Sequence, residues 1–145
     1  MPRRDGYSFS LPQPSCRGTR GRAVSTRNLD AMLNPASVAV IGASARPGRI
    51  GSTAWHNLRS GSYKGPVHAV NPKHCRLDGQ SVYALIADLP QAPDLAVICT
   101  PPAAVPGLIA ELGAAGTRAA VVLTAGLDKP QRQAMLDAAK PHLLR

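Results

Sequence analysis

Apolar residues gather in four short runs along the chain, at residues 37–42 (SVAVIG), 66–70 (PVHAV), 94–99 (DLAVIC) and 118–124 (RAAVVLT). Each is too short for a helix, and each stops at Gly, Asn-Pro, Thr-Pro-Pro or Ala-Gly, so each reads as a buried parallel strand. Between the runs the apolar period changes to that of a helix. Ile50, Ala54, Trp55 and Leu58 share one face over 50–60, and Val105, Leu108, Ile109 and Leu112 share one over 103–115. Residues 130–140 predict a last helix with Met135 and Leu136 inward, and residues 28–33 a short helical turn carrying Leu29, Met32 and Leu33. Residues 75–93 read as irregular, with Val82-Tyr83 a short strand and residues 86–89 a turn.

Strands alternating with helices at this spacing form βαβ units with right-handed crossovers. The expected fold is α/β, a Rossmann-like three-layer sandwich with a mainly parallel sheet. Ligands of such open sheets bind beyond the carboxyl ends of the strands. That rule selects residues 42–51, 71–74, 99–102 and 124–126, all rich in Gly, Pro, Ser, Thr or Asn.

Composition agrees with one domain. The chain has 145 residues, 44% of them hydrophobic, which supports a packed core. Aromatics make up only 3%, so aliphatic residues must build that core. No apolar stretch approaches the ~20 residues that span a bilayer, so no membrane partner is expected. The net charge of +9 is uneven. Six arginines against one aspartate fall within residues 1–27, which follow neither a helical nor a strand period. That segment reads as a disordered basic leader, followed by the ordered domain over 28–145. The rest is mildly basic, which suits a phosphorylated small molecule and is too little to call for nucleic acid as a partner. Cys16, Cys75 and Cys99 form no even framework and no Cys-x-x-Cys pair, so they read as reduced thiols of a cytoplasmic protein. The four histidines show no metal-ligand spacing, so no metal site is expected.

The first strand-end loop runs Gly42, Ala43, Ser44, Ala45, Arg46, Pro47, Gly48, Arg49, Ile50, Gly51. Gly42 turns the chain off its strand, while Gly48 and Gly51 allow an anion near the backbone and let the helix pack on the sheet. The helix start offers free N–H groups and a positive dipole end, and Ser44, Arg46 and Arg49 add donors. Glycine spacing departs from the dinucleotide fingerprint, and the Gly-Lys-Ser/Thr ending of a phosphate-binding P-loop is missing. The second loop, Asn71-Pro72-Lys73-His74, has no carboxylate where an NAD enzyme places one for the ribose hydroxyls. Lys73 stands there instead. A cation at that place favours a ribose phosphate, as in coenzyme A or NADP. Thr100, Pro101 and Pro102, with Thr124, Ala125 and Gly126, supply no catalytic group. Their backbone can wall an adenine or a pantetheine arm.

Taken together, residues 33–51, 63–73, 92–102 and 119–126 resemble the CoA-binding domain of NDP-forming acyl-CoA synthetases. That family includes ADP-forming acetate–CoA ligase and relatives of the succinyl-CoA synthetase α subunit, and the same domain opens some GNAT-fused protein lysine acetyltransferases. The resemblance covers about residues 28–140. It implies coenzyme A or acyl-CoA as the ligand, with residues 44–50 around the diphosphate, Lys73 on the nucleotide phosphate, Thr100 to Pro102 lining the site, and Thr124 to Gly126 near the thiol end. The family's phosphohistidine and ATP-grasp parts have no counterpart in these residues, and His142 does not lie in the phosphohistidine motif. The resemblance therefore implies a CoA-binding module, not catalytic by itself, that works with further synthetase domains in cis or in trans. The alternatives are an NADP-binding oxidoreductase domain and a regulatory or nucleic-acid-binding protein that uses the basic leader.

Overall fold

The computed structural model describes residues 26–145. The expectation of a disordered leader falls almost wholly on residues 1–25, outside the described residues, as does Cys16. In chain order the strands are β1 (Val38–Ile41), β2 (Val67–Val70), β3 (Arg76–Leu77), β4 (Gln80–Tyr83), β5 (Leu95–Ile98) and β6 (Ala119–Val122). The helices are α1 (Leu29–Leu33), α2 (Ile50–Ser60), α3 (Val105–Ala115) and α4 (Lys129–Ala139), with 3-10 turns at Ile86–Asp88, Pro102–Ala104 and Lys140–His142.

One six-stranded sheet runs β3-β4-β2-β1-β5-β6. All neighbours are parallel except the β3–β4 pair. β1 is central, with Val38 opposite Val67 and Leu95, and Ile41 opposite Val70 and Ile98. Alternation along the strands sorts the core into two faces. Ala39, Ile41, Ala96 and Ile98 pack with Val105, Ile109 and Leu112 of α3 and with Met135 of α4. Val38, Val40, Ala69 and Val97 face the other way, onto Ala31, Trp55 and Leu58 of α1 and α2. The expected three layers are therefore present. Each fully buried Val, Ile or Leu here contributes about 1.5–3 kcal/mol relative to leaving it exposed.

Three expectations need correction. The strand expected at Val82-Tyr83 is present but begins at Gln80, and residues 76–83 as a whole are not irregular. They form a hairpin whose loop residues Asp78 (φ 47°) and Gly79 (φ 77°) are both left-handed, the geometry an Asp-Gly pair adopts in a two-residue turn. Leu136 is 48% exposed and not inward, because it lies about 100° around α4 from Met135, which takes the core position. Leu33 is 72% exposed, since the single turn of α1 buries Ala31 and points Leu33 away.

The hairpin turn also fixes α2. The buried Trp55 donates its indole N–H to Asp78 Oδ2 at 2.8 Å, and Arg59 stacks 5.1 Å from the indole ring. Asp78→Ala leaves a buried donor unpaired, so it should cost about 1–3 kcal/mol in a denaturant titration, whereas Asp78→Asn keeps an acceptor and most of that stability.

Just before β5, Asp94 accepts the Ala36 backbone N–H at 2.9 Å and pairs with Arg118 at 3.0 Å. The backbone bond from Ala36, aided by Arg118, holds its carboxyl below the usual aspartate range despite partial burial. A depressed folded pKa gives stability that is present above the unfolded value and lost as pH falls through the folded one. The melting temperature should therefore drop from about pH 4 downward, and Asp94→Asn should flatten that part of the acid limb.

Candidate functional site

The carboxyl ends of β2, β1, β5 and β6 lie side by side, so the four loops selected by sequence meet along one edge. Hydrogen bonds stitch them together. Gly42 N–H donates to Val70 O at 2.8 Å, and Asn71 Nδ2 donates to Ala43 O at 2.7 Å. Asn71 Oδ1 in turn accepts the Lys73 N–H at 2.9 Å. Through Nδ2 the Asn71 side chain thus ties the second loop to the first, and through Oδ1 it folds the second loop on itself. On the other side, Thr124 Oγ1 donates to Thr100 O at 2.8 Å.

Close approach explains two glycines. Gly42 has φ 88°, and a Cβ there would lie 2.8 Å from Cys99 O. A Cβ on Gly51 would run into the Gly42 carbonyl oxygen. This contact seats the start of α2 directly on the end of β1. Arg49 precedes that helix in an extended conformation, no side chain caps it, and its first turn carries no acidic residue. Its first N–H groups and dipole end therefore face the loop. Ser44 Oγ accepts the Arg46 N–H at 3.1 Å and folds the loop into a tight turn.

Arg46, Pro47, Gly48, Arg49 and Ile50 are exposed along the loop rim, as are Pro72 and Lys73 beside it. Ile50, expected on the buried helix face, is 49% exposed because it begins the helix at this rim. Among the described residues, Arg46, Arg49 and Lys73 have no carboxylate within ion-pair distance. Thr100 Oγ1 is buried without a hydrogen-bond partner among the described residues. Pro101, Ala125 and Gly126 are exposed, while Pro102 and Thr124 are half-buried.

Cys99 closes β5 at this edge. Burial pushes its thiol up to about 11, so it stays protonated near neutral pH and is a poor nucleophile. Among the described residues no group of His, Cys, Asp or Glu could hold a metal ion.

A cleft of about 320 Å³ opens beside the loop, bordered by Ser44, Pro47, Gly48, Ser52, His56 and Asp78. Sequence reasoning did not select Ser52, His56 or Asp78. The signals for them were the i, i+4 spacing of Ser52 and His56 on α2 and the Asp-Gly turn that docks Asp78 beside them. A larger hollow of about 370 Å³ borders Arg59, Tyr63, Gly65 and Gln80, but none of the four strand-end loops contributes to it.

Comparison with known proteins gives the family. The family model described as CoA binding domain matches residues 36–145. Trans-feruloyl-CoA synthase from an unknown prokaryotic organism is 38% identical over 116 residues, covering 80% of this chain and 16% of that protein. The alpha subunit of ADP-forming acetate–CoA ligase I of Pyrococcus furiosus is 34% identical over 128 residues, covering 81% of this chain and 28% of that subunit. A solved structure of the dinucleotide-forming acetyl-coenzyme A synthetase 1 of Ca. Korarchaeum cryptofilum, with phosphate and ADP, superposes with a TM-score of 0.76. It is 36% identical, over 81% of this chain and 26% of that one. The chain thus spans less than a third of the length of each of these relatives.

Proposed function

The chain belongs to the CoA-binding domain family, and from that premise we propose that it holds coenzyme A across the carboxyl edge of its sheet, as the CoA-binding part of an acyl-CoA synthetase. The observation that carries this reading is the uncapped start of α2, flanked by Arg46, Arg49 and Lys73 with no carboxylate paired to them among the described residues. Such a rim fits a ligand that brings several phosphates and would repel little of it.

Each part of the ligand then has a seat. The diphosphate lies on the N–H groups at the start of α2, with Ser44, Arg46 and Arg49 around it. Lys73 meets the ribose 3′-phosphate, held in place by the Asn71 strut. Thr100, Pro101 and Pro102 face the pantetheine arm, and the unpartnered Thr100 hydroxyl suits one of its amides. Thr124, Ala125 and Gly126 close the far end of the wall. When bound, coenzyme A supplies the thiol that carries an acyl group. The chain's own residues bind and orient it.

The acyl transfer itself belongs, in this reading, to further synthetase domains joined in cis or supplied in trans. An NADP-dependent oxidoreductase is not favoured, since the family match is to CoA binding. Nucleic acid is not favoured either. No helix among the described residues is long and apolar enough to cross a membrane.

Isothermal titration of the full chain with CoA and with NADPH tests the reading. Saturable binding of CoA at one site, with NADPH at least about tenfold weaker, is expected from a difference of ~1.4 kcal/mol or more. Equal binding of both, or no binding of CoA, would reject it.

A further inference from the structure

At its amino end the sheet opens between two of its strands. β2 pairs with β4 only through Ala69 with Val82 and Val70 with Tyr83, although the two strands run back to Val67 and Gln80. Asn71 N–H donates to Tyr83 O, so the odd-numbered residues of β2 turn their backbone groups toward β4. Val67 shares that orientation, yet the ladder ends before it, and its N–H and C=O are not taken up by β4.

The hollow of about 370 Å³ lies where the strands part. Leu58 and Arg59 from the last turn of α2 border it, with Tyr63, Pro66, Val67 and Gln80. Its volume falls in the range of ~300–1,000 Å³ usual for small-molecule sites. Leu58, Pro66 and Val67 give it an apolar wall, and Arg59 gives it a charge. The guanidinium stacks 5.1 Å from the Trp55 ring, which leaves its N–H edge free for a planar anion. Among the described residues no carboxylate lies within ion-pair distance of Arg59, and no acidic residue borders the hollow. The carboxyl end of α2 brings a partial charge of about −0.5, which the full positive charge of Arg59 outweighs. A guanidinium matches a carboxylate with two parallel hydrogen bonds. Gln80 and the Val67 backbone supply donors and acceptors for one further polar group.

We propose that this hollow is a second ligand site, which takes a small free carboxylic acid with an apolar body. The carboxylate pairs with Arg59, and the body lies against Leu58, Pro66 and Val67. None of the four strand-end loops contributes to the hollow, so this inference is independent of the reading of the CoA site.

An amide-resolved NMR titration of the full chain tests it, with 4-hydroxybenzoate as the acid and 4-hydroxybenzamide as its uncharged counterpart. The acid should give saturable shifts at Arg59, Tyr63, Val67 and Gln80 and at the Trp55 indole N–H, and none at residues 44–48. The amide should bind at least about tenfold more weakly, and Arg59→Gln should weaken the acid by roughly 10- to 100-fold. The indole resonance of Trp55, bonded to Asp78, reports whether that variant keeps its fold, and the comparison of acid with amide needs no variant at all. CoA affinity measured with the acid at saturation should not change, which separates this result from any failure of the CoA reading. Equal binding of acid and amide, parental affinity in a folded Arg59→Gln chain, no saturable shift, or shifts centred on the start of α2 would overturn the proposal.

Discussion

Gly51→Ala is expected to destabilise the chain by about 1–3 kcal/mol and to weaken CoA at the same time. One added methyl group has this effect because of what it meets. The Cβ would enter the space of the Gly42 carbonyl oxygen, and next of the Gly42 carbonyl carbon at 3.0 Å. Both are backbone atoms at the end of the central strand, so neither can swing aside as a flexible side chain would. The helix start must lift off β1 instead, and the N–H groups assigned to the diphosphate move with it. Gly107→Ala, in the exposed part of α3, is the control. A Cβ there meets nothing within 4 Å, so the gain in helix propensity should stabilise the chain by up to ~1 kcal/mol. Denaturant melts of the two variants should thus shift in opposite directions, and only the first should lose CoA affinity. Equal stability of Gly51→Ala and the parent would show that α2 is not seated as described.

Lys73→Ala carries the second large effect. The lysine is exposed at the end of β2, and its backbone is pinned by Asn71 Oδ1. A charge-assisted bond to a phosphate is worth about 1.5–3 kcal/mol, which corresponds to roughly 10- to 100-fold in affinity. The substitution should therefore weaken CoA by that factor, while dephospho-CoA, which lacks the 3′-phosphate, should change by less than about twofold. The ratio between the two ligands is the informative quantity, because a general disturbance of the loop would weaken both alike. An unchanged ratio would remove Lys73 from the phosphate and leave it a solvated surface charge.

How much of this was legible beforehand depends on range along the chain. The four main strands announce themselves through continuous Val, Ile and Ala runs, because strands buried on both faces need no polar alternation. Helix α2 was placed at its observed ends, since Trp55 and Leu58 set its inner face and Gly61 stops it. The loop cluster followed from topology alone, for any parallel sheet in this order gathers its carboxyl ends on one edge.

What could not be read from local pattern was set by contacts between distant residues. The use of Asp78 depends on a hairpin turn reaching back to Trp55, twenty-three residues earlier. Sequence placed Asn71 in a strand-end loop, but not the reach of its amide to the Ala43 carbonyl of the neighbouring loop. Leu136 shows a different limit. Two adjacent apolar residues in a helix cannot both face the core squarely, and only packing decides that Met135 does.

The central claim is that a phosphate-bearing nucleotide with a pantetheine arm rests on the start of α2 and along the neighbouring strand ends. Its most direct test is an amide-resolved NMR titration of the full chain with CoA. The account predicts the largest shifts at residues 44–52, with further shifts at Lys73 and Thr100, and none at Tyr63, Gly65 or Gln80 beside the far hollow. Shifts confined to the residues around that hollow, or absent at the start of α2, would contradict it.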